Sequence, residues 1–323
     1  MKKTKVTKII AASLLGMMMF TGCGGEAKDN NANTEPLTVG LMRIDDSFPF
    51  YVAEKEGLFE KYNVAVELQN FSNARDLSTA LQGGELDALM TDTVVTGLSI
   101  KGGADVRIVA MALGAVPEEG RFLVISAPDS GITAPEQLAG KNVAISNNTM
   151  MDYLIDQFEK ELGLENMTTV NMPDLMLRTT TLLEGKDIDA AILPDPLAAF
   201  AVAEGANIVI DDTKLGENLS QSVVVVTKEN IDDNRAQVEA MLAAYNEAIA
   251  LINENPDKYR TFALECANVP EALAETYPTP TFTANCVPTE AQIARVNDWL
   301  VEKELLTEAY TYEQMVDDSF IKD

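Results

Sequence analysis

Two distant segments of this chain share one pattern, Leu-x-Gly-x-x-x-Asp-Ala, at residues 81–88 and again at 183–190. In each copy a helical stretch ends at glycine, and the aspartate opens a short apolar strand. A polar turn follows each strand, Thr91-Asp92 in the first copy and Pro194-Asp195-Pro196 in the second. The repeat therefore predicts that the chain folds into two α/β units of similar construction.

Short apolar segments alternate with helical stretches on both sides of this repeat. Alternation of this kind is typical of α/β units built on a parallel sheet. A long amphipathic stretch, with apolar residues from Val238 to Ile252, ends before Pro256 and makes the C-terminal third helical. The predicted strands are 37–42, 64–68, 87–90, 106–113, 121–126, 141–146, 169–172, 189–193, 207–210 and 222–227.

Composition restricts the class of function. The chain has 24 Lys and Arg against 51 Asp and Glu, a net charge of −27, so it repels nucleic acid and anionic lipid surfaces. It contains no histidine, which removes the usual Ser-His-Asp and Cys-His nucleophiles and imidazole-based metal sites. We therefore expect neither a catalytic residue, nor a metal, nor a cofactor.

The N-terminus has the anatomy of an export signal. Lysines at positions 2, 3, 5 and 8 precede an uncharged run over 9–22, which spans only about 21 Å as a helix and is too short to cross a bilayer. Cys23 directly after Thr-Gly resembles a bacterial lipobox, although Phe20 stands where leucine is usual. The resemblance implies a signal peptide over 1–22 and a lipid anchor on Cys23. The alternative is an ordinary signal peptide with an incidental cysteine.

Residues 23–36 lack large apolar side chains and are predicted to form a flexible tether. The chain from Leu37 onward is long enough for two domains, each with its own core. Two further cysteines, Cys266 and Cys286, either form a disulfide or remain unpaired buried thiols. The sequence leaves both alternatives open.

Four segments, 49–59, 80–88, 135–144 and 192–197, resemble bacterial solute-binding proteins of the nitrate, sulfonate, taurine and thiamine-pyrimidine type. The resemblance implies an α/β type II periplasmic-binding-protein fold, with two lobes, a two-crossing hinge and a ligand cleft between the lobes. Lobe 1 would comprise 37–113 and 225–323, and lobe 2 would comprise 114–224. It also implies an extracytoplasmic, monomeric receptor that binds a small-molecule solute and docks on the permease subunits of an ABC importer.

Polar turns follow the carboxyl ends of several predicted strands, where open α/β sheets bind their ligands. Helix N-termini in these turns direct free backbone N–H groups into the crevice. The turns selected by this rule are 43–50, 72–73, 91–93, 146–151 and 194–197. The candidate ligand-binding residues are Arg43, Asp45, Phe48, Phe50, Ser72, Asn73, Thr91, Asp92, Asn147, Asn148, Thr149 and Asp195.

Several candidates also have a purely structural alternative. Residues 147–149 open a predicted helix, so they either bind the solute or act only as N-caps. Phe48 and Phe50 belong either to the core or to a ring that stacks on a planar solute. Asp92 and Asp195 either cap the helices that follow them or accept hydrogen bonds from a solute amine.

Two features of these turns favour solutes of opposite charge. Helix N-termini favour an anion such as sulfonate or nitrate, whereas the turns are rich in aspartate, and like charges in a dry cleft are costly. Arg75 and Arg178 lie nearby, but their direction cannot be read from the sequence. The balance favours a planar, amine-bearing heterocycle such as a pyrimidine vitamin precursor, with an organic sulfonate next. A sensory co-receptor is the alternative class of function. An enzyme is less favoured, because the turns offer no nucleophile paired with a base.

Overall fold

The computed structural model describes residues 35–164, 166–269, 273 and 275–321. The predicted signal peptide, Cys23 and most of the predicted tether lie outside the described residues. The described residues from Glu35 onward form one compact unit that contains two five-stranded sheets. The sequence prediction of an α/β fold with two similar units is therefore confirmed.

The first sheet has the strand order β2-β1-β3-β10-β4. In it, β1 pairs in parallel with β2 and β3, and β10 runs antiparallel to both β3 and β4. Strand β2 begins two residues later than the predicted 64–68 and continues to Phe71, because its whole length pairs with β1. The strands are β1 (Leu37–Met42), β2 (Val66–Phe71), β3 (Ala88–Asp92), β4 (Val106–Leu113) and β10 (Ser222–Thr227).

The second sheet repeats this order as β7-β6-β8-β5-β9. Strand β6 pairs in parallel with β7 and β8, and β5 runs antiparallel to β8 and β9. In the first sheet the antiparallel strand, β10, comes last along the chain. In the second sheet the antiparallel strand, β5, comes first. The strands are β5 (Phe122–Ser126), β6 (Asn142–Ile145), β7 (Thr168–Asn171), β8 (Ala190–Pro194) and β9 (Asn207–Asp211).

Helices connect and cover the strands. Those between the strands are α1 (Phe48–Lys55), α2 (Leu58–Lys61), α3 (Ala74–Gln82), α4 (Thr93–Lys101), α5 (Met150–Leu162), α6 (Leu175–Leu183) and α7 (Leu197–Ala203). The C-terminal third supplies α8 (Lys228–Asp233), α9 (Arg235–Glu254), α10 (Pro256–Cys266), α11 (Glu290–Glu302) and α12 (Tyr312–Met315). Gly57, with φ of +68°, separates α1 from α2.

Two segments carry the chain between the sheets, 114–121 from β4 to β5 and 212–221 from β9 to β10. They are packed against each other. The Asn218 side-chain amide donates to the Val116 carbonyl at 3.3 Å, and a Cβ at Gly114 would lie 2.9 Å from the Ser220 carbonyl oxygen. Gly114 also has φ of +101°, so both the close approach to Ser220 and the positive φ require glycine at this position.

Helix α11 contributes to the core of the second sheet although it follows the first sheet in sequence. The Trp299 ring packs edge-on against Tyr153 of α5, with 5.4 Å between ring centroids. Trp299 and Leu300 share an apolar cluster with Val94 of α4 and with residues of the second sheet. This cluster joins α4, α5 and α11.

Candidate ligand-binding cleft

A cavity of about 40 Å³ lies where the carboxyl ends of β1, β3 and β6 approach one another. Helix N-termini and the second crossing segment complete its wall, which places it where open α/β sheets bind their ligands. Its apolar lining is Met42, Ile44, Ala74, Met90, Phe122, Met150, Met151, Pro173 and Leu175. Its polar lining is Asp46, Asn73, Thr91, Asp92, Ser146, Thr149, Ser220 and Ser222.

A more polar region of about 500 Å³ adjoins this cavity and shares Ala74, Ser146, Thr149 and Pro173 with it. Arg75 lines this outer region, together with residues of α3, of α4 and of the turn before α5. We call it the mouth of the cavity. It brings a basic side chain to the entrance but not to the inner wall.

Asp92 connects the two halves of the cleft. It is the N-cap of α4, and its Oδ1 accepts a hydrogen bond from the Val95 amide at 2.7 Å. Its Oδ2 accepts from the Met150 amide at 3.2 Å, at the first residue of α5. One carboxylate therefore caps two helices that belong to different sheets, and burial raises its pKa to about 6.

Other helix N-termini at the cleft are also satisfied by the side chains of this protein. The Asn73 Oδ1 accepts from the Asp76 amide at 2.9 Å, and the Thr149 Oγ1 accepts from the Met151 amide at 3.2 Å. Asp152 accepts from the Asn148 amide at 2.9 Å. These particular backbone N–H groups, which an anion could otherwise use, already have acceptors.

Asp46 is the second carboxylate of the cavity wall and is only 6% exposed. Burial raises its pKa, while a hydrogen bond from Ser222 opposes that shift. Among the described residues that line the cavity, none is lysine or arginine. The first-sheet side of the cavity is thus acidic, with Asp46 and Asp92 held close to the space that a ligand would occupy.

Arg178 lies behind the opposite wall and has 0% exposure. Its guanidinium donates to the carbonyls of Met172 and Ile192, at 2.8 Å each, and to the Ser146 hydroxyl. Burial lowers its pKa to about 9, which leaves it protonated at neutral pH. None of the ion pairs among the described residues includes Arg178, although the Asp174 carboxylate favours its charged form, so a positive charge lies buried behind Ser146 and Met151.

The structure brings four of the predicted residues to the cavity: Asn73, Thr91, Asp92 and Thr149. Asn147 and Asn148 lie at the mouth. Helix capping and a position in the binding site were alternatives for residues 147–149 and for Asp92. Thr149 and Asp92 combine the two, since each caps a helix and also lines the cavity.

Six predicted residues lie away from the cavity and its mouth, and four of them are Phe48, Phe50, Arg43 and Ser72. Phe48 and Phe50 are buried in the core, where their rings contact Phe262 and Tyr245 at centroid distances of 5.7 and 4.8 Å. The exposed Arg43 donates to the Cys266 carbonyl at 3.1 Å. Ser72, just before the N-cap of α3, is exposed and does not line the cavity or its mouth.

Asp45 and Asp195 belong to a separate buried cluster. The Asp195 Oδ2 accepts from the Arg121 Nε at 2.7 Å, and its Oδ1 caps α7 through the Ala199 amide at 3.1 Å. Asp45 accepts a hydrogen bond from the Tyr277 hydroxyl. Burial and the neighbouring Asp195 raise the pKa of Asp45 well above its usual range. These two carboxylates are engaged by protein groups rather than directed into the cavity.

Sequence reasoning missed most of the apolar lining and two central polar residues, Asp46 and Ser146. Both stand in turns that had been selected, so their position after β1 and β6 was the available signal. Phe122 and Ser222 had no such signal. They begin the strands β5 and β10, each of which runs antiparallel to its neighbour. The start of β10 therefore lies beside the end of β3, and the start of β5 beside the end of β8, which only the sheet topology reveals.

Cys266 and Cys286 are free thiols in the structure, so they do not form the disulfide that was one of the two alternatives. Burial raises the pKa of Cys266 to about 12 and that of Cys286 to about 11. Both therefore remain protonated and weakly nucleophilic at neutral pH.

Two α/β sheets of like order, joined by two crossings with a cavity at their facing edges, define the periplasmic-binding-protein fold, as predicted. The sequence model of the NMT1-like family matches residues 30–266. Since that match covers more than half of the chain, the protein belongs to the NMT1-like family. Among curated proteins, none matches the sequence.

Solved structures with the same fold include components of import systems. The ligand-binding component of an ABC-type import system from Staphylococcus aureus, with zinc bound, has a TM-score of 0.73 at 15% identity, covering 90% of this chain and 99% of its own. The periplasmic aliphatic sulphonate-binding protein SsuA from Escherichia coli has a TM-score of 0.72 at 19% identity, covering 88% and 92%. The periplasmic nitrate-binding protein NrtA from Synechocystis has a TM-score of 0.63 at 16% identity, covering 73% and 68%.

The described residues contain neither a membrane-spanning helix nor a cluster of metal ligands. None of the helices there has the length and apolar character needed to span a bilayer. That part of the chain also has no group of three or more Cys, Asp or Glu side chains arranged to hold a metal ion.

Proposed function

We propose that this protein is the solute-binding receptor of an ABC importer, anchored by a lipid on Cys23 at the outer face of the bacterial cell membrane. Family membership and the import-system proteins among its structural neighbours support this function. A cavity between two sheets that are joined by two crossings is suited to closing on a small solute. The proposed lobes are 37–113 with 222–323, and 114–221, because the predicted limit at 225 would divide β10, which pairs within the first sheet from Ser222 onward.

The proposed solute is a planar, amine-bearing heterocycle of the pyrimidine type. The observation that carries this choice is the pair of buried carboxylates, Asp46 and Asp92, in a wall without lysine or arginine. An ammonium or amino group can donate to both carboxylates, whereas a sulfonate would be repelled by them in a poorly hydrated site. The aromatic and thioether side chains of the lining suit a flat ring.

A binding experiment with shape-matched probes tests this function. The mature protein is titrated calorimetrically with aminomethylpyrimidine and with benzenesulfonate, and its melting temperature is recorded with each. We expect the amine to bind and to raise the melting temperature, since a ligand at 100 times its Kd adds about 2.7 kcal/mol of stability. Binding of benzenesulfonate without binding of the amine would reverse the assignment.

Substitution of one wall carboxylate sharpens the test. Asp92→Asn removes the charge with little change in volume and should weaken binding of the amine about tenfold or more. Asp298→Asn, on the exposed face of α11, is the matched control and should bind like the wild type. Equal affinity of Asp92→Asn and the wild type would remove Asp92 from the site.

A sensory co-receptor is the second candidate function, because the same cleft and anchor would serve it. Genes for an ATPase and a permease beside this one favour import, and a gene for a membrane-spanning signalling protein in their place favours sensing. Labelling of the full chain with radioactive palmitate, lost in a Cys23→Ser variant, tests the anchor. Size-exclusion chromatography with light scattering tests the proposed monomer.

A further inference from the structure

The two sides of the cavity present opposite charge. The side that follows β3 carries Asp92, with Asp46 beside it, whereas the side that follows β6 carries Ser146 in front of the buried Arg178. A solute that bridges the cavity therefore faces acceptors at one end and a positively charged background at the other. An amine alone would satisfy only the acidic side.

The Ser146 hydroxyl is oriented by Arg178. Its oxygen accepts a hydrogen bond from the guanidinium, so its own proton must be donated to another group. The described residues provide no acceptor for that proton, and Ser146 is a cavity-lining side chain that is 7% exposed. A hydroxyl that accepts from a charged donor becomes a stronger donor itself, because chains of hydrogen bonds polarise one another.

Arg178 is fixed in that position by more than Ser146. It also donates to the carbonyls of Met172 and Ile192, which belong to the backbone of the second sheet and the segment after it. A buried guanidinium held only by neutral acceptors keeps its charge uncompensated by an ion pair. That charge acts on whatever lies beyond Ser146 in the cavity.

The Thr91 hydroxyl is a further polar group in the wall with an unmet hydrogen-bonding need. It is 3% exposed, and its Oγ1 has no partner in the described part of the chain. A buried hydroxyl without a partner costs free energy, which a ligand group recovers when it binds there. The cavity therefore offers two hydroxyls in addition to its two carboxylates.

We propose, on the basis of the function proposed above, that Ser146 is a specificity-determining residue, positioned by Arg178, that donates a hydrogen bond to an acceptor on the solute. The solute class is then a planar heterocycle with an amine at one end and a ring nitrogen or carbonyl oxygen at the other. Asp46 and Asp92 bind the amine, and Ser146 selects rings that carry the acceptor.

Two probes that differ only in ring nitrogens test the proposal. Aminomethylpyrimidine and benzylamine share their shape and their ammonium group, but only the pyrimidine offers acceptors. Calorimetric titration of the wild type should show about tenfold tighter binding of the pyrimidine. In a Ser146→Ala variant the pyrimidine should lose about that factor, while benzylamine binds as before.

Two comparisons separate this inference from the proposed function. A folded Arg178→Gln variant should also lose affinity for the pyrimidine and not for benzylamine. Should Arg178→Gln fail to fold, Ser146→Ala still tests the proposal, because it removes only one small polar atom. Equal affinities of the two probes for the wild type, or an equal loss of both in Ser146→Ala, would overturn the role of Ser146 and leave the amine site intact. Failure of both probes to bind the wild type would overturn the amine site and this inference together.

Discussion

At the scale of single residues, Asp92 shows how one side chain can serve structure and binding at once. Its two oxygens accept from the amides of Val95 and Met150, and these amides belong to helices on different sheets. The capping role and the ligand-binding role, which the sequence offered as alternatives, are compatible, since a carboxylate has about four lone-pair sites.

The pKa of Asp92 predicts how binding depends on pH. With a pKa raised to about 6, Asp92 is ionised at pH 7.5 and mostly protonated at pH 5. Benzylamine remains cationic throughout, so its affinity should fall about tenfold between these values. The raised pKa of Asp46, which faces the same space, acts in the same direction.

Calorimetric titration at several pH values measures this dependence. In Asp92→Asn the remaining dependence should come from Asp46 alone and be shallower than in the wild type. An affinity for benzylamine that stays constant from pH 7.5 to pH 5 would contradict the assignment of these carboxylates to the amine.

At the scale of secondary-structure elements, α11 is held to α5 by both packing and polar contacts. The Trp299 indole N–H donates to Asp156 at 2.8 Å, while its ring packs against Tyr153. Lys303 adds an ion pair with Asp156 at 2.8 Å. Because α11 also packs against Val94 of α4, this helix ties elements of the two sheets together.

Truncation of Trp299 should therefore be strongly destabilising. Trp299→Ala leaves a large cavity and should lower the free energy of unfolding by about 3–5 kcal/mol. Trp299→Phe keeps most of the packing and removes the hydrogen bond to a partly exposed carboxylate, so a loss of about 1 kcal/mol is expected. Urea denaturation followed by circular dichroism measures both, because Trp299 is the only tryptophan of the chain. Similar losses in the two variants would show that packing contributes little.

At the scale of the whole molecule, the two crossing segments form a single packed unit. The Asn218 amide bridges to the first crossing, and the backbone at Gly114 approaches the Ser220 carbonyl too closely for a side chain. Motion of one sheet relative to the other must therefore pass through both crossings together.

Gly114→Ala tests how tightly the crossings are packed. Its methyl group would lie 2.9 Å from the Ser220 oxygen in a backbone of positive φ, so a loss of about 2–3 kcal/mol in unfolding free energy is expected. Gly131→Ala is the matched control, with φ of +74° and nothing within 4 Å of the added carbon, and should cost about 1 kcal/mol. Equal costs measured by thermal or urea unfolding would argue against crowding at the crossing.

The fold was largely predictable because its signals are local. Apolar runs marked the strands, and the amphipathic stretch from Val238 to Ile252 marked α9. The candidate site was predictable where a polar residue ends a parallel strand, as with Thr91 and Asp92, or caps the helix that follows one, as with Thr149. Phe48 and Phe50 lie in a selected turn and the helix it enters, yet both are buried in the core, because α1 packs against α10 on one side and α9 on the other.

The sequence by itself determined the α/β class, the repeated unit, the acidic charge and the absence of histidine, because these depend on composition and short-range periodicity. Only the tertiary structure decided that Asp92 reaches the helix of the other sheet, that Arg178 lies behind Ser146, and that Asp45 and Asp195 are engaged elsewhere. Each of these contacts joins residues far apart in the chain. Their direction follows from how two sheets and their crossings pack, and no local pattern encodes it.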